Sequence, residues 1–380
     1  MSVRPFRIDV PQETLDDLVR RLDQTRWPDE IEGAGWDYGS SVGYLRQLCE
    51  YWRTNYDWRE HERALNRLPQ FKTRIDGLDI HFVHAEGRGP RPLPLVLTHG
   101  WPSSFYEMHK VIGPLTDPAA HGGDPGDAFH LVVPSLPGYG FSDPPRTRGL
   151  NTTRIGELWV ELMQRLGYPR FGAQGGDWGA AVTTARGVRH AERMIGVHFN
   201  MFSPPIDEAS LTPEQLEWWR GVQAYRAQEW GYVHLQSTKP QTPAFGLNDS
   251  PAGLAAWIVE KWRRWSDCDG DVERAYTKDE LLTNLTLYWV TQTIGSSMRL
   301  YYESFSRAIA PSSAPRISVP MGAAVFKEAN RPPRELAEPY YDIRRWTLME
   351  RGGHFPALEN PEGLVEEIRA FFRPLRAGEG

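Results

Sequence analysis

A short apolar run leads into a glycine-framed aspartate in Arg170-Phe171-Gly172-Ala173-Gln174-Gly175-Gly176-Asp177-Trp178-Gly179-Ala180-Ala181-Val182. The pattern predicts a strand, a sharp turn and a helix, with Asp177 at the apex of the turn. Glycines flank the reactive residue of a nucleophile elbow because the turn is strained and a neighbouring Cβ would collide with the strand or the helix. Aspartate is also a favoured helix N-cap, and this stretch alone leaves that alternative open.

The residue type at the apex of the turn selects the chemistry. A serine there needs a base and attacks carbonyl carbons, whereas a carboxylate needs no deprotonation and suits displacement at an sp³ carbon, which leaves an alkyl ester on the enzyme. Asp177 therefore points away from peptidases, lipases and esterases. Gly39-Ser40-Ser41-Val42-Gly43 matches the serine form of the motif, but a polar loop rather than an apolar strand precedes it, and we interpret it as a chance match.

Composition excludes several classes of protein. The chain has 380 residues, 40% hydrophobic and 24% charged, with a formal net charge of -6. These values are typical of a soluble globular protein, and the acidic balance disfavours nucleic acid as a partner. No apolar run approaches the roughly 18 residues that span a membrane, and no apolar segment follows the basic start, so we expect no membrane partner, no secretory signal and a cytoplasmic location. Cys49 and Cys268 lie far apart without metal-ligand spacing, which favours a reducing compartment and disfavours a disulfide framework or a zinc site.

The N-terminal region, residues 1–70, predicts helices without strands. One helix is expected from residue 11 to the Trp27-Pro28 stop, and a second helical stretch from residue 36 to residue 58. Short apolar runs then alternate with helical patterns, which predicts a mostly parallel α/β sheet that begins with a hairpin at one edge. The strands are expected at residues 71–75, 78–84, 94–98, 129–133, 194–199, 319–326 and 345–350, and in the apolar approach to Asp177 that begins at residue 170.

A long helical insertion interrupts this alternation. Residues 201–310 are rich in helix formers, tryptophan and tyrosine and contain no strand pattern. We interpret them as a helical lid inserted after the strand that follows the elbow helix, with residues 71–200 and 311–380 as the core. This arrangement predicts an α/β-hydrolase fold.

Three further stretches supply partners for Asp177. Thr98-His99-Gly100-Trp101-Pro102-Ser103-Ser104 follows a buried strand, where such folds place the second backbone N–H of an oxyanion hole, so Trp101 and Trp178 are the predicted donors. His354 lies in a glycine-rich loop after the last strand, at the position of the triad base in chain order. Glu328 follows the preceding strand and offers a carboxylate to orient that histidine. Each residue alone also suits an ordinary structural or surface position, and the prediction rests on their joint occurrence in this order.

The sequence gives no reason to assign a second base or a metal site near Asp177. His99 is expected to hold its loop in place rather than to act as a second base. No cluster of Asp, Glu and His at ligand spacing accompanies Asp177, so the sequence predicts neither a metal nor a cofactor.

At this point the chain resembles the microsomal-type epoxide hydrolases, including the juvenile hormone epoxide hydrolase branch, over nearly its full length. The resemblance rests on motifs in the N-terminal region, the core and the lid. They are Arg26-Trp27-Pro28, Gly35-Trp36-Asp37-Tyr38, His99-Gly100-Trp101-Pro102, Gly175-Gly176-Asp177-Trp178-Gly179, Gly231-Tyr232-Val233-His234, Thr238-Lys239-Pro240, Leu247-Asn248-Asp249-Ser250-Pro251, Ser296-Ser297-Met298-Arg299-Leu300-Tyr301 and Arg351-Gly352-Gly353-His354-Phe355.

The resemblance implies a role for each matching residue. Asp177 would be the nucleophile and His354 the base that activates water, while Tyr232 and Tyr301 in the lid would donate hydrogen bonds to the epoxide oxygen. Phenols suit this task because ring opening by a carboxylate leaves an alkoxide, which they can hydrogen-bond or protonate in a dry site. Tyr302 is a rival for Tyr301, and ordinary aromatic packing is the alternative for all three tyrosines.

The chain departs from the family pattern in two places. The acid loop Phe326-Lys327-Glu328-Ala329 is shorter than the family's, which leaves Glu335 as a second candidate for the triad acid. The N-terminal membrane helix of the animal members has no counterpart, so we expect a soluble member whose N-terminal region wraps the core and the lid.

Two other functions compete with this one. A haloalkane dehalogenase uses the same fold and nucleophile but needs N–H donors for a halide, and a non-catalytic hydrolase-fold binding protein usually lacks a triad member. The 15 Trp, 15 Tyr and 15 Phe residues favour an apolar or aromatic epoxide as substrate, with water as the second reactant. The sequence leaves the identity of the epoxide, the site of ring opening, the physiological role and any oligomer open.

Overall fold

The computed structural model describes residues 2–305, 316–328 and 331–378. Within these ranges one nine-stranded sheet is packed against helices. The strands are β1 (Arg4–Pro5), β2 (Gln70–Ile75), β3 (Leu78–Ala85), β4 (Leu93–Thr98), β5 (Phe129–Pro134), β6 (Phe171–Gly175), β7 (Met194–Phe199), β8 (Ile317–Val325) and β9 (Tyr341–Leu348). The helices are α1 (Gln12–Asp23), α2 (Val42–Thr54), α3 (Trp58–Leu65), α4 (His109–Thr116), α5 (Thr152–Arg165), α6 (Asp177–Arg189), α7 (Pro213–Glu229), α8 (Gly231–Thr238), α9 (Gln241–Leu247), α10 (Pro251–Trp265), α11 (Lys278–Thr291), α12 (Ile294–Phe305), α13 (Arg334–Ala337), α14 (Pro356–Glu359) and α15 (Pro361–Phe372).

The sheet has the order β1-β2-β3-β5-β4-β6-β7-β8-β9. Strands β1, β2 and β3 pair antiparallel, and β3 also pairs antiparallel with β5. From β5 to β9 all neighbours are parallel. Every residue of β7 is buried, as expected for a parallel strand that helices cover on both faces. The predicted mostly parallel α/β-hydrolase sheet is confirmed.

The register of the parallel strands brings their carboxyl ends to one edge of the sheet. Thr98 at the end of β4 pairs with Gly175 at the end of β6, and Val325 at the end of β8 pairs with Leu348 at the end of β9. Loops that follow the carboxyl ends of parallel strands form the ligand sites of open α/β sheets. The four loops that carry the predicted site residues therefore leave the sheet at the same edge.

Two predictions for the N-terminal region are wrong. The region does contain a strand, because Arg4 and Pro5 pair with Lys72 and Phe71 of the sheet. Two residues are too few to produce an alternating pattern, and a proline is tolerated at a sheet edge because no ladder hydrogen bond needs its missing N–H. The predicted helical stretch over residues 36–58 is also interrupted, since α2 begins only at Val42 and α3 only at Trp58.

The serine motif of this region has structural partners. Ser41 is the N-cap of α2, and its side chain accepts a hydrogen bond from the backbone N–H of Tyr44 at 3.4 Å. The Ser40 hydroxyl donates to the carbonyl oxygen of Ala256 at 2.7 Å. Trp52 Nε1 donates to Thr286 Oγ1 at 3.0 Å. The N-terminal region thus contacts α10 and α11 of the inserted helices as well as the sheet.

The strands near the C-terminus differ slightly from the expected ones. Strand β8 occupies residues 317–325 rather than 319–326, and β9 occupies residues 341–348 rather than 345–350. The first half of β9 was missed because it lies at the sheet edge, where Asp342 and Arg344 alternate with apolar residues. Helices α7 to α12 lie between β7 and β8, whereas the predicted lid boundary at residues 310 and 311 lies outside the described residues. None of the helices in the described ranges has the length and apolarity that crossing a bilayer demands.

Candidate active site

The strained turn between β6 and α6 places Asp177 at the sheet edge. Asp177 has a φ of +47°, a left-handed conformation that costs a non-glycine residue of order 1–3 kcal/mol. A Cβ added at Gly179 would lie 1.9 Å from the carbonyl oxygen of Thr98, so the helix can approach β4 only with glycine there. Gly176 is the N-cap residue, so Asp177 does not cap α6.

Two backbone N–H groups converge on the Asp177 carboxylate. The N–H of Trp101 donates to Oδ1 at 2.8 Å, and the N–H of Trp178 lies close enough to the carboxylate to lower its pKa. Burial raises the pKa of Asp177, and the nearby His354 and the two N–H groups oppose this effect only in part. The structure thus brings both predicted oxyanion donors to the same carboxylate.

His354 lies between two carboxylates. Its Nε2 is 3.7 Å from Asp177 Oδ2, and its Nδ1 is 3.4 Å from Glu328 Oε1. Burial lowers the pKa of His354, but the negative charges of Glu328, Asp177 and Glu107 outweigh burial and raise it to about 9. Glu335, the second candidate for the acid, lies exposed in the first turn of α13.

The loop that carries His354 packs against the end of α10. The backbone N–H of His354 donates to the carbonyl oxygen of Trp265 at 3.0 Å, and that of Gly352 donates to Asp267 Oδ2 at 3.0 Å. A Cβ on Gly353 would lie 2.5 Å from the Trp265 oxygen, which explains the glycine at this position. The inserted helices therefore help to position the histidine.

Glu359 holds the same loop from the other side, and sequence reasoning missed it. Its carboxylate accepts the backbone N–H groups of Gly353, Phe355 and Asp267, each at 2.8 Å. Burial raises the pKa of Glu359, while these three hydrogen bonds favour the ionised form. One sequence feature could have predicted this role. Glu359 lies one turn into a helix that begins just after His354, and a carboxylate in that position can accept hydrogen bonds from the free N–H groups before the helix.

A second missed carboxylate, Glu107, lies beneath the site. The Ser103 hydroxyl donates a hydrogen bond to Glu107 Oε2. Burial raises the pKa of Glu107 to about 7, the Ser103 hydrogen bond opposes this effect, and His354 and Asp177 are close enough to influence it. Nothing in its surrounding sequence distinguishes it from an ordinary surface glutamate.

His99 has structural partners for both ring nitrogens. Its Nε2 accepts the backbone N–H of Leu136 at 3.2 Å, so Nδ1 carries the proton and donates to the Gly100 oxygen at 3.0 Å. Burial lowers its pKa to about 4. The neutral ring holds its loop in place, as predicted.

The two predicted lid tyrosines pack against the side chains of Trp101 and Trp178. Tyr232 stacks on Trp101 with ring centroids 5.1 Å apart, and Tyr301 packs edge-on to Trp178 at 4.6 Å. The Tyr232 and Tyr301 rings lie edge-on with centroids 5.9 Å apart, so each hydroxyl influences the pKa of the other. Burial, together with the charge of Asp177, raises the pKa of both phenols well above the usual value. Tyr302 is 42% exposed and lines a different groove, so the structure places Tyr301 rather than its neighbour at the site.

A cavity of about 790 Å³ connects these groups. Asp177, His354, Glu328, Tyr232 and Tyr301 all line it. Apolar side chains from the inserted helices and the elbow cover much of the remaining wall, among them Trp178, Val222, Trp230, Val233, Trp265 and Phe305. Within the described residues, no group of three or more His, Cys, Asp or Glu side chains is placed to hold a metal ion.

Comparisons with known proteins show which family and fold the chain is similar to. Residues 3–108 match the family described as epoxide hydrolase N terminus, and residues 94–267 match the alpha/beta hydrolase fold family. A protein of Stigmatella aurantiaca named as a candidate epoxide hydrolase is 47% identical over 99% of this chain and 86% of its own length. Epoxide hydrolase 1 of Sus scrofa is 37% identical over 97% of this chain and 88% of its own length.

A solved structure shares the whole architecture. The crystal structure of juvenile hormone epoxide hydrolase from the silkworm Bombyx mori has a TM-score of 0.85 and 34% sequence identity, and the match covers 100% of this chain and 95% of that one. Sequence identities of 34–47% over nearly the full chain show that this protein and these relatives belong to one family. The chain belongs to the epoxide hydrolase family of α/β-hydrolase-fold enzymes.

Proposed function

We propose that the protein hydrolyses an epoxide to a vicinal diol through a covalent alkyl ester on Asp177. The observation that carries the proposal is the unequal environment of the two carboxylate oxygens. Oδ1 accepts the N–H of Trp101, whereas Oδ2 lies towards His354 at 3.7 Å. This difference assigns Oδ2 as the attacking oxygen and Oδ1 as the future oxyanion.

In the first half-reaction Oδ2 attacks a ring carbon of the epoxide. The bond between that carbon and the ring oxygen breaks, and its electron pair stays on the oxygen. The hydroxyls of Tyr232 and Tyr301 hydrogen-bond this oxygen, and one of them supplies the proton. Because the pKa of both phenols is raised, they remain protonated and ready to donate at neutral pH.

Ester formation prepares His354 for the second half-reaction. It removes the negative charge of Asp177, which is one of the charges that raise the pKa of His354. The imidazole therefore loses its proton more readily and can accept one from water that attacks Cγ of the ester. The tetrahedral oxyanion at Oδ1 is held by the N–H groups of Trp101 and Trp178, and the Cγ–Oδ2 bond then breaks. Oδ2 departs with the diol, which takes the proton from His354, while Glu328 stabilises the imidazolium. The second proton of the water remains on the new Asp177 carboxyl group and returns to the tyrosinate that the first half-reaction left, which restores both residues.

The substrate is proposed to be apolar or aromatic near the epoxide. Trp178, Trp265 and Phe305 line the cavity beside Asp177 and exclude water from the reacting atoms. We also propose that the enzyme acts in the cytoplasm, since both of its cysteines, Cys49 and Cys268, are free and buried.

A haloalkane is the competing substrate class. The indole Nε1 of Trp178 is buried and has no hydrogen-bond partner among the described residues, which is a feature that a halide site could use. The paired hydroxyls of Tyr232 and Tyr301 favour the epoxide, because a departing halide ion needs no proton. A haloalkane therefore serves as the comparison substrate in the first experiment.

A single turnover in ¹⁸O-water tests the ester mechanism. Excess enzyme and styrene oxide should give diol without label from the first turnover, and the label should appear in the Asp177 carboxylate, because water attacks Cγ. Mass spectrometry of the proteolytic peptide measures the label, with Asp177→Ala as the inactive control. Labelled diol from an unlabelled enzyme would mean direct attack by water, and turnover of a chloroalkane alone would indicate a dehalogenase.

The lid hydroxyls are tested by removing them without disturbing the rings. Tyr232→Phe and Tyr301→Phe should each lower kcat/KM for styrene oxide by about 10-fold to 1,000-fold, since a positioned donor at a developing alkoxide is worth that much. Tyr302→Phe is the matched control and should leave kcat/KM within about twofold. Equal effects of the Tyr301 and Tyr302 substitutions would contradict the proposal.

The pH dependence should separate the two half-reactions. The alkylation rate should fall as the pH drops through the raised pKa of Asp177, because only the carboxylate attacks. The ester hydrolysis rate should rise with pH through a midpoint below the value of about 9 for His354 in the free enzyme, since the ester lacks the Asp177 charge. Stopped-flow tryptophan fluorescence measures both rates, and NMR titration measures the free histidine. A hydrolysis midpoint at or above the free-enzyme value would contradict the charge argument.

Glu359 is predicted to act as a positioning residue for His354. Glu359→Gln removes a charge and replaces one acceptor oxygen with a donor that cannot satisfy the N–H groups of Gly353, Phe355 and Asp267. We expect about a tenfold or greater loss of ester hydrolysis, because displacing a base by a fraction of an ångström has such effects, and a smaller loss of alkylation. Glu359→Asp should recover part of the hydrolysis rate. Equal loss of both half-reactions would indicate a general loss of stability.

A further inference from the structure

The charged side chains that line the catalytic cavity are paired, with one exception. Asp177 and Glu328 flank His354. Glu229 pairs with Arg264 at 2.9 Å, and Lys327 pairs with Asp267 at 3.1 Å. Arg226, which lines the same cavity, has neither a carboxylate partner nor a hydrogen-bond acceptor for its guanidinium group among the described residues.

Arg226 is held in place by aromatic rings instead. The centre of its guanidinium group lies 4.9 Å from the ring of Trp219 and 4.4 Å from that of Trp230. Contacts of this kind use no N–H group as a hydrogen-bond donor to an acceptor atom, so the five donors of the guanidinium group remain available to a ligand. The side chain is half-buried, and burial lowers its pKa with no neighbouring negative charge to oppose the effect.

A partly buried cation without a counter-ion is stabilised by a ligand that supplies the opposite charge. Arg226 presents a single positive charge, which matches a monoanion, and its planar fork matches the two oxygens of a carboxylate. An apolar path leads from Arg226 to the elbow, because Trp230 contacts Phe305 with ring centroids 6.5 Å apart and Phe305 contacts Trp178 at 5.8 Å. These features together describe a ligand with an anionic end, an apolar middle and an epoxide.

We propose that the substrates include epoxides whose apolar chain ends in a carboxylate, and that Arg226 binds this carboxylate. The inference rests on the proposed epoxide hydrolysis and adds the substrate class. The carboxylate end determines which molecules bind well, while the reacting atoms stay with Asp177, Tyr232 and Tyr301.

A homologous series of ω-epoxy carboxylic acids, from epoxyhexanoic to epoxydodecanoic acid, tests the proposal when each acid is compared with its own methyl ester. Within one chain length the two compounds share the epoxide and the apolar chain and differ only in the charge. The ratio of kcat/KM for the acid to that for the ester should reach about tenfold or more at the chain length that spans the cavity, as expected for a hydrogen bond between charged groups. Raising the salt concentration should lower kcat/KM of the acid and leave that of the ester unchanged.

Variants of α7 assign the effect to one residue. Arg226→Gln should bring the acid-to-ester ratio close to one, and Arg226→Lys should retain part of the preference because it keeps the charge without the planar fork. Arg220→Gln is the matched control, since it removes the same charge from an exposed position on the same helix outside the cavity. It should leave the ratio at the wild-type value. The ratio is measured within each variant, so a general loss of activity does not affect it.

Different failures have different meanings. An acid-to-ester ratio near one at every chain length in the wild type, or a ratio that Arg226→Gln leaves unchanged, would overturn this inference. If styrene oxide is still hydrolysed, the proposed function survives that result. Absence of diol from styrene oxide, the esters and the acids alike would overturn the proposed function and this inference with it.

Discussion

The charge of Asp177 is the constraint on which the rest of the site depends. A carboxylate must remain ionised to attack an epoxide, yet burial raises its pKa and favours the neutral acid. Two backbone N–H groups and His354 offset this cost. Bringing those groups together requires a left-handed backbone at Asp177. It also requires a glycine at position 179, which allows α6 to approach β4. The elbow, the loop after β4 and the histidine loop therefore serve one electrostatic requirement.

The inserted helices cover the cavity and also help to hold His354 beside Asp177. The end of α10 supplies the Trp265 carbonyl and the Asp267 side chain and N–H that hold the histidine loop, and Glu359 joins both segments. The N-terminal region in turn contacts α10 and α11 through Ser40 and Trp52. The position of His354 thus depends on how the helices of three distant segments pack together.

The polar groups that line the cavity form two sets on opposite sides. One side presents N–H groups and a histidine to the carboxylate, and the other presents two phenols whose raised pKa keeps them protonated. Two of the charges away from Asp177 are paired, Glu229 with Arg264 and Lys327 with Asp267. Arg226 alone carries an uncompensated charge among the described lining residues, and its place on α7 makes it suited to the remote end of a substrate.

The sequence by itself determined the α/β-hydrolase sheet, the strand–turn–helix at Asp177 and the order in which Asp177, Glu328 and His354 follow successive strands, because each depends on contiguous residues. Buried strands appear as apolar runs, and a strained turn appears as flanking glycines. Only the tertiary structure decided which of two adjacent tyrosines faces the cavity, which of two glutamates meets His354, and that Arg4 and Pro5 join the sheet. It also revealed Glu359, whose carboxylate binds the N–H of Asp267 from 92 positions away. No local pattern can encode such a contact, since it exists only when segments distant along the chain pack against each other.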